Sequence, residues 1–294
     1  MRGIGKRSKK CHGAGQKINR HFRGCDAEKE MLKILKGNEA AQNLAREVAS
    51  FYGNYLEFYE DMSYISGHYE IECGHEPVML RSVSAYLHPK TPRTAEALSH
   101  ELLHLRLPIQ GFPLCERVNV PDELDEHAQG FIEAIQKIGN LIGHELIFNQ
   151  FVGIGFDGSN FLREPSPVPN YEGLARKAVP SQGYITAVGF PWWCLEYYRH
   201  WISTRHGLPP DTMRYADSAA HWGSKVHSDL VDALSAMRDW IAGGEFKNPV
   251  KYPIEINKLL SIMKLPHVTG WAALRGKEPG KPVAVNLEIN DENA

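Results

Sequence analysis

The sequence predicts an α+β protein that is mostly helical and carries a small antiparallel sheet. Three observations support this class. Long segments, such as residues 121–150, repeat apolar residues every three or four positions, as amphipathic helices do. Residues 78–88 are rich in Val, Met, Leu and Tyr, which favours a strand. With 294 residues, 43% of them hydrophobic, the chain can bury a large core.

The same patterns predict the elements in chain order. Residues 26–62 are expected to be helical, with a break at Gly37-Asn38, and residues 69–73 and 78–88 to be strands around a turn at 74–77. Helices are expected at 91–108, 121–150, 191–206, 211–242 and 254–263, and a last strand at 283–287. We therefore divide the chain into a basic tail (1–25), a core (26–152) and a mainly helical region (153–294).

The run Ser-His-Glu-Leu-Leu-His-Leu at residues 99–105 is the most informative stretch. Side chains four residues apart share one helix face, so His100 and His104 can both direct a ring nitrogen at one metal ion. Glu101 lies about 100 degrees around the helix, where a carboxylate can hold water beside that ion and accept its proton. Thr91-Pro92 and Pro108 are helix start and stop signals, so the motif should lie mid-helix. The pattern predicts a zinc ion and amide hydrolysis.

A catalytic zinc ion normally has a third protein ligand, which we expect from the next helix. His144 is our choice, because the apolar residues around it would bury it and a buried imidazole needs a partner. Glu145 and Glu133 are the alternatives. His127 is a weaker candidate, since it lies near the acidic start of the helix.

These residues resemble a known family. Residues 100–105, preceded by a strand that ends in His88-Pro89, look like the active-site helix of the zincin metallopeptidases. Residues 140–148 are similar to the second helix of compact bacterial zincins, and the likeness covers residues 65–155. It implies a zincin-like fold and an intracellular peptidase that uses Zn²⁺ to cleave a protein or peptide. The metzincin extension is absent, and His144 followed by Glu145 leaves the subclass open.

Zincins often place a further polar side chain that stabilises the oxyanion. The sequence offers several candidates and does not choose among them: Tyr171, Tyr184, His200 and His206.

The amino-terminal segment differs in charge from the rest. Residues 1–24 hold eight of the 33 basic residues and no acid, which leaves 25 basic against 35 acidic residues beyond them. Such a tail can bind nucleic acid or a protein partner. A second hypothesis is therefore a non-catalytic, zinc-containing binding protein that recruits its partner through this tail.

The tail also contains Cys11, His12, His21 and Cys25, residue types that bind zinc. The run 11–21 is similar to a degenerate SEC-C zinc knuckle. Aligned on its two glycines, only His12 and His21 fall on ligand positions. A flexible basic tail is the alternative interpretation.

Composition sets the expected location. No apolar run reaches the ~18 residues of a membrane helix, and the start lacks the apolar core of a signal peptide. Five scattered cysteines do not suggest a disulfide framework. We therefore expect a cytoplasmic protein with reduced thiols and no membrane partner.

Overall fold

The HExxH residues lie in a helix that follows an inner strand of a four-stranded sheet. The structure is a computed structural model that describes residues 18–61, 71–76, 79–87, 94–162, 170–179, 186, 189–206 and 213–287. In these residues the helices are α1 (Cys25–Ile34), α2 (Glu39–Tyr52), α3 (Thr94–Ile109), α4 (Ala128–Gly153), α5 (Tyr171–Ala178), α6 (Gly189–Arg205), α7 (Met213–Val226), α8 (Ser228–Gly243) and α9 (Tyr252–Ile262). The strands are β1 (Ile18–Arg23), β2 (Leu56–Asp61), β3 (Ile71–Glu76), β4 (Met79–Leu87), β5 (Leu114–Val118), β6 (Val268–Glu278) and β7 (Lys281–Leu287).

The first sheet has the strand order β1-β2-β4-β3. β1 and β3 pair antiparallel with their neighbours, whereas β2 and β4 run parallel, with Leu56 opposite Val83. The α+β class is confirmed, but the sheet near the HExxH helix is mixed rather than purely antiparallel. β1 belongs to the segment that was predicted as a tail, and the proposed boundaries at residues 25 and 152 stay predictions.

Helix α2 packs against α3 and fixes it in the core. Asn38 caps α2 by accepting a hydrogen bond from the backbone N–H of Ala41 at 2.9 Å, and the helix buries an apolar face that includes Leu44 and Val48. The Tyr52 hydroxyl donates to the backbone oxygen of Leu105 at 2.8 Å. This buried bond contributes about 1 kcal/mol and ties α2 to the turn of α3 that follows His104.

Two of the predicted helices are wrong in extent. The apolar spacing through Tyr55 and Phe58 predicts a helix to residue 62, but α2 ends at Gly53, whose φ is 52°, and β2 follows. The helix expected over 211–242 is two helices, because His227 adopts an extended conformation (φ −163°) and caps α8 with its ring nitrogen. In both places a local backbone change overrides a continuous apolar pattern.

The second sheet is antiparallel, with the order β5-β6-β7, and its carboxyl-terminal hairpin reaches back to α2. Gly280 donates its N–H to the backbone oxygen of Ser50 at 2.7 Å. A Cβ on Gly53 would lie 2.5 Å from the Cα of Gly280, so the two backbones touch and a side chain is excluded. The sequence analysis predicted β7 but neither β5 nor β6.

Two groups of buried apolar side chains form the core. One lies among α1–α3, β2 and β4, and the other lies mainly among α5–α9. Helix α4 contributes to both: Phe131 and Ile142 pack in the second group, whereas Ile147 and Phe151 pack in the first. Among the residues that the structure covers, no helix has both the length and the apolar character needed to cross a bilayer.

Candidate metal centre

Three histidines from two helices converge. His100 and His104 lie one turn apart on α3, and His144 projects from the facing α4. One possible ligand atom from each histidine lies within 4.8 Å of those of the other two. His100 Nε2 and His104 Nε2 are 3.2 Å apart, and the three ring centroids are separated by 4.9, 5.0 and 5.2 Å. This group could hold a metal ion.

A glycine makes this close approach possible. Gly143 precedes His144 on α4, and a Cβ placed there would lie 2.9 Å from Cε1 and 3.0 Å from Nδ1 of His104. The His104 ring therefore occupies the space that any other residue at position 143 would fill. Sequence reasoning missed this role, although a glycine directly before the predicted ligand was a usable signal.

Burial keeps His104 and His144 neutral. It lowers the pKa of His104 from 6.5 to about 4. Burial, followed by the charges of His100, His104 and His206, lowers the pKa of His144 well below 6.5. His144 Nδ1 is buried and has no hydrogen-bond partner among the described residues. Because a metal ligand must be a neutral imidazole, this environment suits coordination.

Glu101 is buried on the same helix and is only 6% exposed. Burial raises its pKa from 4.5 to about 8, since a charged carboxylate is poorly solvated there. A carboxyl group with a pKa close to neutrality can both accept and return a proton. Glu101 directly follows His100 in the chain, as in the HExxH spacing.

Phe161 closes one side of the cluster. Its ring centroid lies 4.6 Å from that of His100 and 5.4 Å from that of His144. The residue follows a short 3₁₀ turn (Gly158–Asn160), and the Asn160 side-chain amide donates to the Glu96 carboxylate of α3 at 3.1 Å. No sequence pattern indicates that Phe161 packs here, because the contact joins segments that are distant in the chain.

The two alternative third ligands lie elsewhere. Glu145 accepts hydrogen bonds from Arg205 Nε at 2.8 Å and from His206 Nε2 at 3.1 Å. Burial alone would raise the pKa of Glu145, but His206 and Arg205 outweigh burial and lower it. Glu133 is exposed and accepts a hydrogen bond from Gln129. Neither belongs to the cluster of ligand atoms.

The remaining candidates are dispersed. His127 pairs with Glu126 at 3.2 Å. Among the oxyanion candidates, Tyr171 and His200 bond to each other at 2.9 Å in the second core group, and Tyr184 lies outside the described residues. His206 lies near the cluster, because it contacts Phe161 and affects the pKa of His144.

The proposed second zinc site is only partly covered. Cys11 and His12 lie outside the described residues, as do residues 1–17 of the tail that is expected to bind nucleic acid or a protein. His21 stacks on Tyr59 with ring centroids 4.3 Å apart, and Cys25 is an exposed free cysteine at the start of α1. The second zinc site stays a prediction.

Comparison with protein families, curated proteins and solved structures gives no match. The geometry of the three histidines therefore carries the functional argument.

Proposed function

We propose that the protein is a zinc-dependent peptidase that hydrolyses peptide bonds of an intracellular protein or peptide. His100, His104 and His144 are the proposed zinc ligands, and Glu101 is the proposed base. The observation that carries this proposal is the convergence of three imidazoles whose ligand atoms lie within 4.8 Å of one another, with the buried Glu101 next to His100 in the chain. The resemblance of the HExxH helix to that of zincins supports an amide as the bond that is cleaved.

The donor set favours zinc. Three neutral nitrogen ligands with one position left for water are the usual set of a catalytic zinc site, and imidazole also suits copper, iron and nickel. His144 Nδ1, buried without a protein partner in the described part of the chain, fits a ring whose surroundings are completed by a bound ion or water. Gly143 leaves the room that His104 needs.

When bound, zinc supplies a Lewis acid that lowers the pKa of water to about 7 and polarises a carbonyl group. Glu101 accepts the proton of the attacking water and returns it to the leaving amine. In the metal-free protein burial raises the pKa of Glu101 to about 8, which places its proton exchange close to neutral pH. Phe161, packed on two of the histidine rings, excludes bulk water from that side of the cluster.

Metal analysis and a proteolysis assay test the proposal together. Purified wild-type protein should contain about one zinc ion per chain and should cleave denatured casein or a quenched fluorescent peptide library. Glu101→Gln should retain zinc and lose at least ~100-fold in cleavage rate, because it removes the base but no ligand. His144→Ala should lose both zinc and cleavage.

His127→Ala is the matched control, since His127 is a histidine of the same segment that pairs with Glu126 outside the cluster. It should keep zinc and activity. A wild-type chain that binds no zinc after reconstitution contradicts the metal site. Unchanged cleavage by Glu101→Gln contradicts the catalytic role of Glu101. Wild-type protein that binds zinc but cleaves no substrate favours the non-catalytic binding protein.

A further inference from the structure

An arginine is held at the margin of the histidine cluster. Arg205, the last residue of α6, donates through Nε to Glu145 at 2.8 Å, and Glu145 directly follows His144 in the chain. Its guanidinium carbon lies 5.5 Å from the ring centroid of Trp201, one turn earlier on α6. These two contacts fix the guanidinium group, yet the side chain remains 44% exposed.

The contact with Glu145 uses only part of the arginine. A guanidinium group has five N–H donors. Among the described residues, Arg205 uses its Nε–H, which donates to Glu145. The Glu145 carboxylate is shared with His206, and the side chains of these two residues are only 4% and 3% exposed. Glu145 is therefore a buried support, whereas the outer edge of Arg205 faces solvent.

A second guanidinium group lies on the same aromatic side chain. Arg238 of α8 lies 5.9 Å from the Trp201 ring and donates through Nε to the hydroxyl of Tyr197. Arg238 forms no salt bridge within the described ranges. The acidic side chain of Asp217 lies close enough to Tyr197 to raise the pKa of its hydroxyl. Two exposed guanidinium groups therefore lie near one indole ring, and the one that belongs to Arg205 is held by a buried carboxylate.

The net negative charge of the rest of the chain favours a small anion as the ligand of these arginines. Beyond residue 24 the protein has 25 basic and 35 acidic residues, so a long polyanion such as nucleic acid would be repelled by most of the surface. A single carboxylate, by contrast, matches the two-donor edge of one arginine. The proposed peptide substrate offers such a group at its C-terminus or on an acidic side chain.

We infer that Arg205 and Arg238, arranged around Trp201, form a carboxylate-binding subsite beside the metal centre. The subsite selects peptides that carry a carboxylate, and its role in substrate choice rests on the proposed peptidase function. Glu145 is a positioning residue, because it acts by holding Arg205. Arg205 contributes most, since it is anchored one residue from a proposed metal ligand, and Arg238 adds charge.

Peptide binding measured by calorimetry tests the subsite without requiring hydrolysis. The probes are N-acetyl-tetra-alanine and its C-terminal amide, together with two amidated tetrapeptides that differ by one Glu or Gln. They are titrated into zinc-loaded Glu101→Gln protein and into metal-free wild-type protein. At least one carboxylate peptide should bind about tenfold more tightly than its neutral partner, as expected for a charge-assisted hydrogen-bonded pair. The pair that shows the preference distinguishes a C-terminal from a side-chain carboxylate.

Three variants locate the effect. Arg205→Met should abolish the preference, and Arg238→Met should reduce it about threefold, as expected for loss of a more distant charge. Arg205→Lys guards against misfolding, because it keeps a cation next to Glu145 but loses the planar fork, and it should retain only part of the preference. Arg176→Met is the control, since Arg176 is exposed and pairs with Glu172 on α5.

Equal affinity of wild-type protein for acid and amide, or no measurable binding of any probe, overturns the subsite. So does a preference that survives Arg205→Met. If the preference is present in wild-type protein and absent in Arg205→Met while no casein is cleaved, the subsite stands and the peptidase proposal falls.

Discussion

Two regions of the molecule bury histidines, and they do so in opposite ways. In the second core group, His200 Nδ1 lies 2.9 Å from both the Tyr171 hydroxyl and the backbone oxygen of Glu196. Between α3 and α4, His100 and His104 instead bring their Nε2 atoms within 3.2 Å of each other, with His144 alongside. A buried histidine bonded to its own core is structural. Several that converge on one point favour a cation there.

Alanine substitutions in the two regions should give the largest contrast. His144→Ala should abolish stoichiometric zinc binding. His200→Ala should leave zinc bound and lower the free energy of unfolding by about 1–3 kcal/mol, because the Tyr171 hydroxyl loses its bond to the ring and retains the longer one, at 3.3 Å, to the backbone oxygen of Glu196. Elemental analysis and urea unfolding measure the two effects. If His200→Ala removes the zinc, the distinction between a structural and a metal-binding histidine fails.

A smaller effect should follow from a single methyl group on α4. Gly143→Ala places a Cβ within 3.0 Å of the His104 ring and should weaken zinc binding about 10- to 100-fold, as disturbed ligand orientation does. Gly139→Ala is the matched control, because no atom lies within 4 Å of a Cβ there. The control should keep zinc affinity and raise helix stability by about 1 kcal/mol. Competition with a chelator measures both zinc affinities. Equal values in the two variants would contradict the inference that His104 needs a glycine at position 143.

The free energy of unfolding of the metal-free protein should depend on pH through the buried groups of α3 and α4. The pKa of His104 is lowered to about 4 and that of His144 lies well below 6.5, so the unfolded chain binds more protons than the folded chain, and stability falls as pH drops below about 6.5. The pKa of Glu101 is raised to about 8. The folded chain therefore holds an extra proton between pH 4.5 and 8, and stability also falls as pH rises through that range.

Between pH 4.5 and 6.5 the two histidines outweigh the single carboxyl group, and above 6.5 the carboxyl group acts alone. Stability of the metal-free protein should therefore peak near pH 6.5. Glu101→Gln should remove the decline between pH 6.5 and 8. Tyr171, the hydrogen-bond partner of His200, has a raised pKa and does not titrate in this range. Urea unfolding at a series of pH values measures this, and a wild-type decline that persists in Glu101→Gln would exclude Glu101 as its source.

The smallest effect should come from a change near Phe161, the side chain that closes one side of the histidine cluster, rather than from a change to a ligand. Asn160→Ala removes the hydrogen bond to Glu96 that holds the turn before Phe161, and it should cost about 0.5–1.5 kcal/mol of stability. Zinc affinity should fall only a few-fold, because no ligand is touched. Ser159→Ala is the control, since Asp157 bonds the backbone N–H of Ser159 rather than its side chain. Thermal unfolding should show a lower midpoint for Asn160→Ala alone.

The histidine cluster was predictable because its signal is local. Residue spacing fixes which side chains share a face of α3, and the apolar surroundings of His144 indicate burial. Gly143, Phe161 and the Glu145 contacts were not predictable, because they depend on how α3, α4 and α6 approach each other. The same limit explains the strands: Leu56 belongs to β2 through pairing with Val83, a distant partner that no local pattern reveals.

The contact between Gly53 and Gly280 has a consequence for how the protein matures. The hairpin of β6 and β7 supplies Leu274 and Ala284 to the apolar core that surrounds the HExxH helix. During synthesis the ribosome makes this hairpin long after His104 and His144. The core around α3 is therefore complete only after residues 268–287 have emerged from the ribosome, and the three histidines reach their final surroundings no earlier than that.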